Sequence, residues 1–418
     1  MNALAKLQRL LALVEAAPES FYARRLREAG LDRPDGWDLE RFRKIPFTRK
    51  EDLLADRLIH RPFGSNFTEP LVRYTRFCQT SGTSTGQPMA VLDTPESWGA
   101  MLDCWRKVYE AAQLRPGVDR IFFAFSFGPF LGFWTAFEAA ARDYLILPGG
   151  GLSTQARLEM MARYQATVVC CTPTYALRLG ENLGPASGVS RDQLAIRKIV
   201  VAGEPGGSLP GVRSRLRDLW GDVEIFDHHG MTEVGPVSYE DPAHPGSLAV
   251  IEEAYLAEII DAEGQKVAEG GEGELVLTTL ERTASPLIRY RTGDLVRKQH
   301  FGGERLYLEG GILGRTDDMA VIRGVNVYPT AVESVVRQFP EVAEFMVEQR
   351  RIDAMEEIAV LIELHRQGVE DPAEATVKDR LEDKLRDTFS LRIPVILAGT
   401  GDLPRFEFKA KRWRRAAC

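Results

Sequence analysis

Apolar runs alternate with helical segments through residues 95 to 230, and this pattern constrains the fold more than any other feature. In order, the runs are RIFFAFSF, YLILP, TVVCCT, RKIVVAG and DVEIFD. Strands buried on both faces are almost continuously apolar, whereas strands that face water on one side alternate apolar and polar residues. The pattern therefore predicts βαβ units and a parallel sheet covered by helices on both faces.

The predicted helices lie between these runs. The first begins after Thr94, a capping residue, with Pro95 in its first turn. The others are predicted over residues 131–143, 153–165, 175–183 and 212–220.

The pattern of apolar and polar residues changes twice after this region. After Gly246, short alternating strands separated by glycine-rich turns predict an antiparallel or barrel-like subdomain packed on the parallel sheet. From Asp317 onward, strands and a charged helix over Glu374 to Thr388 predict a compact α+β unit of about 100 residues. We therefore expect an α/β fold with a large N-terminal domain over 1–316 and a small C-terminal domain over 317–418.

Composition excludes several functional classes. The 418 residues, 44% of them apolar, suffice for two or more domains with large cores. The net charge of −7 gives no general attraction for nucleic acid or anionic membranes, so an anionic ligand needs a local site. The five scattered cysteines are typical of reduced cytosolic thiols. Because Glu15 interrupts the short apolar run near the N-terminus, this segment predicts an amphipathic helix and a cytoplasmic protein without a membrane anchor.

The segment TSGTSTGQP, from Thr80 to Pro88, is unusually rich in hydroxyl residues and glycine. Such a loop can surround a phosphate with backbone N–H groups and hydroxyls. A P-loop, however, has GxxxxGK[ST] between a strand and a helix, whereas here Gln87 follows the last glycine and a second strand, MAVLD, comes next. The loop alone predicts a hairpin that either binds phosphate or is an ordinary polar turn.

Further segments decide between these interpretations. The loop resembles the phosphate loop of the acyl-adenylate-forming superfamily, which includes acyl-CoA synthetases and peptide-synthetase adenylation domains. In the order of that family there follow AGEP, FDHHGMTE, RYRTGDL, GRTDDMAVIRGVNVYPTAVE and LPRFEFKAKR. The sequences GEP and GVNVYP are similar to the corresponding motifs of the phenylacetate-CoA ligase-like branch. The resemblance covers the chain from about residue 70 onward and implies a mobile C-terminal domain with its hinge near Asp317.

The resemblance implies a binding site for ATP. In the loop, the residues around the β- and γ-phosphates are Ser81, Gly82, Thr83, Ser84, Thr85 and Gly86. The residues around adenine are Gly203, Glu204, Pro205, Asp227, His228 and His229. Two departures from the family stand out: Gln87 replaces a common lysine, and His229 replaces a common tyrosine that stacks on adenine. A zinc site at the adjacent histidines is disfavoured because neighbouring side chains diverge.

The same resemblance gives roles to several charged and hydroxyl residues. Glu233 offers a hard oxygen ligand for Mg²⁺, and Thr232 a hydroxyl for the α-phosphate. Asp294 can accept hydrogen bonds from both ribose hydroxyls, and Arg315 can donate hydrogen bonds to the sugar or the phosphate. Without the family context, TGD and TE are also compatible with ordinary turns and caps.

The C-terminal motif supplies the catalytic lysine. By resemblance, Lys409 contacts the substrate carboxylate and the α-phosphate during adenylation, where an ammonium lowers the repulsion between two anions. Lys411 is the alternative in the same KAK segment, and Phe408 stands where the family commonly has glycine.

An apolar pocket is expected for the side chain of the acid. The segment FSFGPFLGFW lies where the branch has its aromatic-acid pocket, although core packing of a strand and a helix is an alternative interpretation. The predicted lining residues are Phe127, Phe130, Phe133, Ala202 and Gly230.

Together these features predict an AMP-forming aryl or arylacetic acid–CoA ligase that uses ATP, Mg²⁺ and coenzyme A. One alternative transfers the acyl group to the phosphopantetheine of a carrier protein. Another is an inactive homologue that acts as a nucleotide sensor or interaction module. We expect a monomer or homodimer with no nucleic-acid partner.

Overall fold

The computed structural model describes residues 2–32, 36–80, 88–185, 187–316, 318, 320–323, 325–352, 355–365, 373–406 and 411–415. The helices of this part are α1 (Ala3–Glu15), α2 (Phe21–Glu28), α3 (Leu39–Phe42), α4 (Lys50–Ile59), α5 (Pro95–Ala111), α6 (Leu131–Ala140), α7 (Thr154–Arg163), α8 (Pro173–Glu181), α9 (Pro210–Trp220), α10 (Pro329–Val336) and α11 (Ala373–Phe389). As predicted, Thr94 caps α5, its side chain accepting a hydrogen bond from the amide of Ser97.

The strands before the C-terminal unit are β1 (Arg76–Gln79), β2 (Ala90–Asp93), β3 (Arg120–Phe123), β4 (Leu145–Pro148), β5 (Val168–Cys171), β6 (Lys198–Val201), β7 (Glu224–Met231), β8 (Gly235–Asp241), β9 (His244–Val250), β10 (Tyr255–Ile260), β11 (Glu272–Thr279), β12 (Tyr290–Gln299) and β13 (Tyr307–Arg315). Those that follow are β14 (Ala320–Ile322), β15 (Val325–Val327), β16 (Val342–Ile352), β17 (Met355–Leu364), β18 (Val395–Leu397) and β19 (Trp413–Arg415).

One eleven-stranded mixed sheet runs through the large unit in the order β10-β11-β12-β13-β9-β8-β7-β6-β5-β3-β4. The strands from β7 to β4 are parallel, as the continuous apolar runs predicted. The later strands are antiparallel and continue the same sheet instead of packing on it as a separate layer. The reason lies in β7, which is longer than predicted and pairs with β6 through its first half and with β8 through its second.

Helices cover both faces of the parallel strands. On one face, α5 and α6 pack on a cluster that includes Phe123, Val168 and Phe226. On the other face, α7, α8 and α9 pack on a cluster that includes Phe122 and Val169. Neighbouring residues of one strand thus enter different cores, which accounts for the absence of polar alternation in the sequence.

The N-terminal helices complete the large unit. Residues of α1 and α2, such as Leu10 and Tyr22, share a buried cluster with Val237 and Leu275 of the antiparallel strands. Within the described part of the chain, no helix is long and apolar enough to cross a membrane.

The C-terminal unit is a four-stranded sheet in the order β18-β17-β16-β19, with the hairpin β14-β15 and the helices α10 and α11. Val335, Phe345 and Leu381 lie in its own buried core. The predicted fold class, a large α/β unit followed by a small α+β unit, is confirmed. The boundary at 316/317 stays a prediction, and the hinge residue Asp317 lies outside the described residues.

Strands β1 and β2 form an antiparallel hairpin in which Cys78 pairs with Val91. The hydroxyl of Thr80 accepts a hydrogen bond of 2.9 Å from the amide of Met89, which closes the hairpin. The predicted setting of the TSGTSTGQP loop, between two strands and not before a helix, is therefore confirmed. Residues 81–87 lie outside the described part.

Candidate active site

The segment FDHHGMTE lies where β7 changes partners. Asp227 is the last residue of β7 that pairs with β6, and His228 is the first that pairs with β8. In sheets of this kind, ligands bind at the carboxyl ends of parallel strands where the direction of connection changes. The pairing pattern thus places the motif at the favoured edge of the sheet.

Asp294 and Arg315 come together because they are cross-strand neighbours on β12 and β13. Arg315 Nη1 lies 3.2 Å from Asp294 Oδ1, and His229 Nε2 lies 3.0 Å from Asp294 Oδ2. Burial alone would raise the pKa of Asp294, but the hydrogen bond from His229 and the charge of Arg315 hold it below its usual value. The carboxylate is therefore ionised and oriented, as an acceptor for sugar hydroxyls needs to be. His229 Nδ1 is buried and has no hydrogen-bond partner among the described residues.

Thr232 and Glu233 form the turn between β7 and β8. Lys50, the first residue of α4, places its Nζ 3.1 Å from Glu233 Oε1, and both side chains are largely buried. Arg57 on the same helix also faces this region. Its Nη1 is buried and has no hydrogen-bond partner in the part of the chain that the structure describes, and burial lowers the pKa of the Arg57 guanidinium to about 10. Helix α4 therefore brings positive charge to the side of Glu233.

Arg282, in the loop after β11, holds the backbone of this turn. Its Nη1 donates to the carbonyl oxygens of Glu233 at 2.6 Å and Thr232 at 3.3 Å. Its Nε and Nη2 donate to the two carboxylate oxygens of Asp93 at 2.6 Å and 2.5 Å. Both side chains are almost fully buried. Because Asp93 ends the strand that follows the phosphate loop, this pair connects that hairpin to the Thr232–Glu233 turn.

The residues of this turn fit a magnesium ion. Mg²⁺ is commonly held by one or two carboxylates together with substrate phosphates, so a protein cage is not required. Glu233 supplies such a carboxylate, and the hydroxyl of Thr232 lies beside it in the chain. Within the described residues, no cluster of three or more His, Cys, Asp or Glu side chains is suited to a transition metal.

Asp227 points to the face of β7 away from the aromatic cluster. Its Oδ2 accepts a hydrogen bond of 2.6 Å from the hydroxyl of Ser208, and its Oδ1 accepts one from the amide of His228. Burial raises the pKa of Asp227 to about 6. Both carboxylate oxygens thus accept hydrogen bonds from the protein itself, so the Asp227 side chain stabilises the neighbouring turns.

The predicted pocket residues form one aromatic wall. Phe133 stacks on Phe125 with ring centroids 4.4 Å apart, and Phe130 meets Phe133 edge to face at 5.8 Å. Phe127 adopts a positive φ of 51°, which turns its ring onto Trp134 and Phe137. All three predicted phenylalanines are half-buried, so their rings keep an accessible face.

The AGEP segment follows β6 at the same edge of the sheet. A carboxylate oxygen of Glu204 accepts a hydrogen bond of 2.8 Å from the amide of Thr174, at the start of α8, and burial raises the pKa of Glu204. Gly230, at the end of β7, has no room for a side chain because a Cβ would stand 2.8 Å from the carbonyl oxygen of Gly235. Glu204 therefore connects the AGEP segment to the start of α8, and Gly230 allows β7 and β8 to approach each other closely.

The end of the C-terminal motif docks beside this segment. Arg412 is buried, with its Nε 2.7 Å from Glu344 Oε1 and its Nη1 3.1 Å from Glu333 Oε1. The same Nη1 lies 3.4 Å from the hydroxyl of Thr174 in the large unit. Arg412 therefore joins the C-terminal unit to the start of α8, beside the AGEP segment of the large unit.

Several predicted site residues lie outside the described part of the chain: Ser81, Gly82, Thr83, Ser84, Thr85, Gly86, Gln87, Phe408 and Lys409. Their roles stay predictions. Sequence reasoning missed Lys50, Arg57, Arg282 and Asp93, because their sequence distance from Glu233 hides the contacts. For Asp93, the one sequence feature that indicated a place near the site was its position at the end of the strand that follows the loop.

Comparisons with known proteins agree with this geometry. A family model described as AMP-binding enzyme matches residues 76–280, and one described as AMP-binding enzyme C-terminal domain matches residues 324–414. The phenylacetate-coenzyme A ligase of Thermus thermophilus is 33% identical over 96% of this chain and 93% of that protein. The enzyme of that name from Escherichia coli is 29% identical over 97% of this chain and 92% of its own.

A solved structure of a 2-hydroxyisobutyryl-CoA ligase in the postadenylation state has a TM-score of 0.90 and 26% identity, covering 99% of this chain and 89% of that one. The same ligase in the thioesterification state has a TM-score of 0.71 over 99% of this chain and 88% of that one. The arrangement of the two units here thus resembles the postadenylation state more closely.

The fold and the site define an AMP-forming acid–CoA ligase, which uses ATP to adenylate a carboxylic acid and then forms a thioester with coenzyme A. Within that class, the chain belongs to the phenylacetate-CoA ligase family of acyl-adenylate-forming enzymes.

Proposed function

We propose that the acid is aromatic, an aryl or arylacetic acid, and that its ring lies against the wall formed by Phe127, Phe130 and Phe133. The observation that carries this proposal is that these three half-buried rings pack together through the buried ring of Phe125. Aromatic rings pack favourably on such walls, in stacked or edge-to-face geometry. The names of the curated relatives, phenylacetate-coenzyme A ligases, support the same substrate class.

The first step joins two anions. A carboxylate oxygen of the acid attacks the α-phosphorus of ATP, and pyrophosphate leaves. Asp294 and Arg315 orient the sugar, Thr232 lies at the α-phosphate, and Lys409 approaches with the C-terminal unit. When bound, Mg²⁺ at Glu233 supplies charge neutralisation to the phosphates. The residues therefore act mainly by positioning the reactants and stabilising developing charge.

In the second step, the thiol sulfur of coenzyme A attacks the acyl carbon and AMP leaves. By resemblance, rotation about Asp317 removes Lys409 from the site and admits the thiol. A carrier-protein acceptor would present the same phosphopantetheine arm, but it has no support from the relatives. We place the enzyme in the cytosol, which suits its buried free cysteines Cys78, Cys104, Cys170 and Cys171.

The test is ATP–pyrophosphate exchange with a panel of carboxylic acids, followed by AMP release with coenzyme A. We expect exchange with phenylacetate or a substituted benzoate, and AMP release that depends on coenzyme A. Exchange only with aliphatic acids would exclude an aromatic substrate. AMP release with a carrier protein alone would favour the carrier-protein pathway, and ATP binding without exchange for any acid would indicate a sensor.

Replacing Lys50 by Met is expected to raise the KM for ATP about tenfold, because a largely buried cation near the phosphates contributes about 1–2 kcal/mol to their binding. This charge matters more here since Gln87 carries none. The measurement is pyrophosphate exchange as a function of ATP concentration. Lys44→Met is the matched control because Lys44 is exposed and pairs only with Glu40 in the described structure. A lower KM in Lys50→Met would instead show that the ammonium competes with magnesium for Glu233.

A further inference from the structure

His228 lies on the face of β7 that carries the aromatic cluster. Side chains alternate along a strand, so Phe226 and His228 share one face while Asp227 and His229 share the other. Phe226 packs in the same cluster as Trp105, Phe125 and Phe133. The ring of His228 meets that of Trp105 with centroids 4.3 Å apart. The two adjacent histidines therefore have different surroundings: His229 lies beside Asp294, and His228 lies beside Trp105 of the aromatic cluster.

The hydrogen bonding of His228 defines its tautomer. Its Nδ1 lies 2.8 Å from the carbonyl oxygen of Ser238, which can only accept, so Nδ1 carries the hydrogen. Burial lowers the pKa of His228 to about 3, which leaves the ring neutral near pH 7. A neutral ring with its hydrogen on Nδ1 has a lone pair on Nε2.

This lone pair has no partner among the described residues. The ring of His228 contacts the Ser238 carbonyl and Trp105. Trp105 cannot supply a hydrogen bond because its Nε1–H donates to the hydroxyl of Thr135 at 2.9 Å. Thr135 in turn donates to the carbonyl oxygen of Leu131 at 3.0 Å. The ring N–H of Trp105 is thus already used, and Nε2 of His228, a residue that is 4% exposed, remains an acceptor for a ligand.

We propose that His228 is a specificity-determining residue whose Nε2 accepts a hydrogen bond from a hydroxyl or amino group on the side chain of the acid. This inference rests on the proposed function, since it assumes that the acid lies against the aromatic wall. A site that hydrogen-bonds a substrate hydroxyl rejects the analogue without it, because its own polar group is then left unpaired. The preferred acids therefore carry such a donor.

The test compares acids that differ only by a donor: hydroxyphenylacetates with phenylacetate, aminobenzoates with benzoate, and 2-hydroxyisobutyrate with isobutyrate. The readout is the ratio of kcat/KM in pyrophosphate exchange within each pair. We expect the wild-type enzyme to prefer the donor-bearing acid in at least one pair. His228→Phe, which keeps a ring but has no acceptor, should lower the ratio of kcat/KM within that pair by about 10- to 100-fold.

Two further variants make the experiment specific. His228→Gln retains an acceptor and should retain most of the preference. His228→Leu, which also lacks an acceptor, replaces His228→Phe should that variant fail to fold. His244→Phe is the matched control, since His244 stacks on Phe301 away from the aromatic wall and should leave every ratio unchanged.

The outcomes separate this inference from the proposed function. Equal ratios in the wild type and His228→Phe, with aromatic acids still exchanged, would overturn the role of His228 and leave the aromatic substrate standing. Exchange confined to 2-hydroxyisobutyrate, and dependent on His228, would support the hydrogen bond while excluding an aromatic substrate.

Discussion

Replacing Arg282 by Met is expected to destabilise the protein by about 3–5 kcal/mol, because it leaves the buried carboxylate of Asp93 without its partner. Adenylation should also fall, since the carbonyl groups of Thr232 and Glu233 lose the donor that fixes their turn. The measurements are urea unfolding and pyrophosphate exchange at a temperature where the variant is folded.

A double variant separates stability from positioning. Asp93→Asn combined with Arg282→Met removes both charges and should recover much of the lost stability, while exchange stays about 10- to 100-fold low because the turn is still unsupported. Arg197→Met breaks another arginine–aspartate pair, with Asp119, at the amino ends of the parallel strands and far from the active-site edge. It should lose stability without losing exchange by the folded enzyme. Full recovery of exchange in the double variant would contradict a positioning role for Arg282.

Replacing Lys409 by Ala is expected to lower the adenylation rate by about 10²- to 10³-fold, as loss of a group that stabilises charge in the transition state does. Thioester formation from a supplied acyl-adenylate should be nearly unchanged, because the role proposed for the lysine is confined to the first step. The measurements are pyrophosphate exchange for the first step and acyl-CoA formation for the second.

The chain offers its own control for this prediction. Lys411 lies in the same KAK segment and is exposed, so Lys411→Ala should leave both steps close to normal. Equal losses in the two steps for Lys409→Ala would argue against its assigned role. A selective loss of adenylation in Lys411→Ala would transfer the role to that residue.

The parallel half of the sheet could be predicted from the sequence, because a strand that is buried on both faces consists of a continuous apolar run. The sequence also predicted the hairpin around residues 80 to 88 and the capped start of α5, since strand alternation and capping are local properties. It did not predict that the antiparallel strands continue the same sheet, because that depends on β7 pairing with β6 and then with β8.

The residues of the active site likewise fall into those that the sequence predicted and those that only the structure brought together. The order of the motifs, through their resemblance to a known family, was enough to predict an acid-activating ligase, because those motifs are short and local. The same resemblance predicted Glu233, Asp294 and Arg315 at its nucleotide site. Only the tertiary structure placed Lys50 beside Glu233, Arg282 beneath the turn, and the two adjacent histidines on opposite faces of one strand. Contacts between residues distant in the sequence arise from strand order and helix packing, and no local pattern records them.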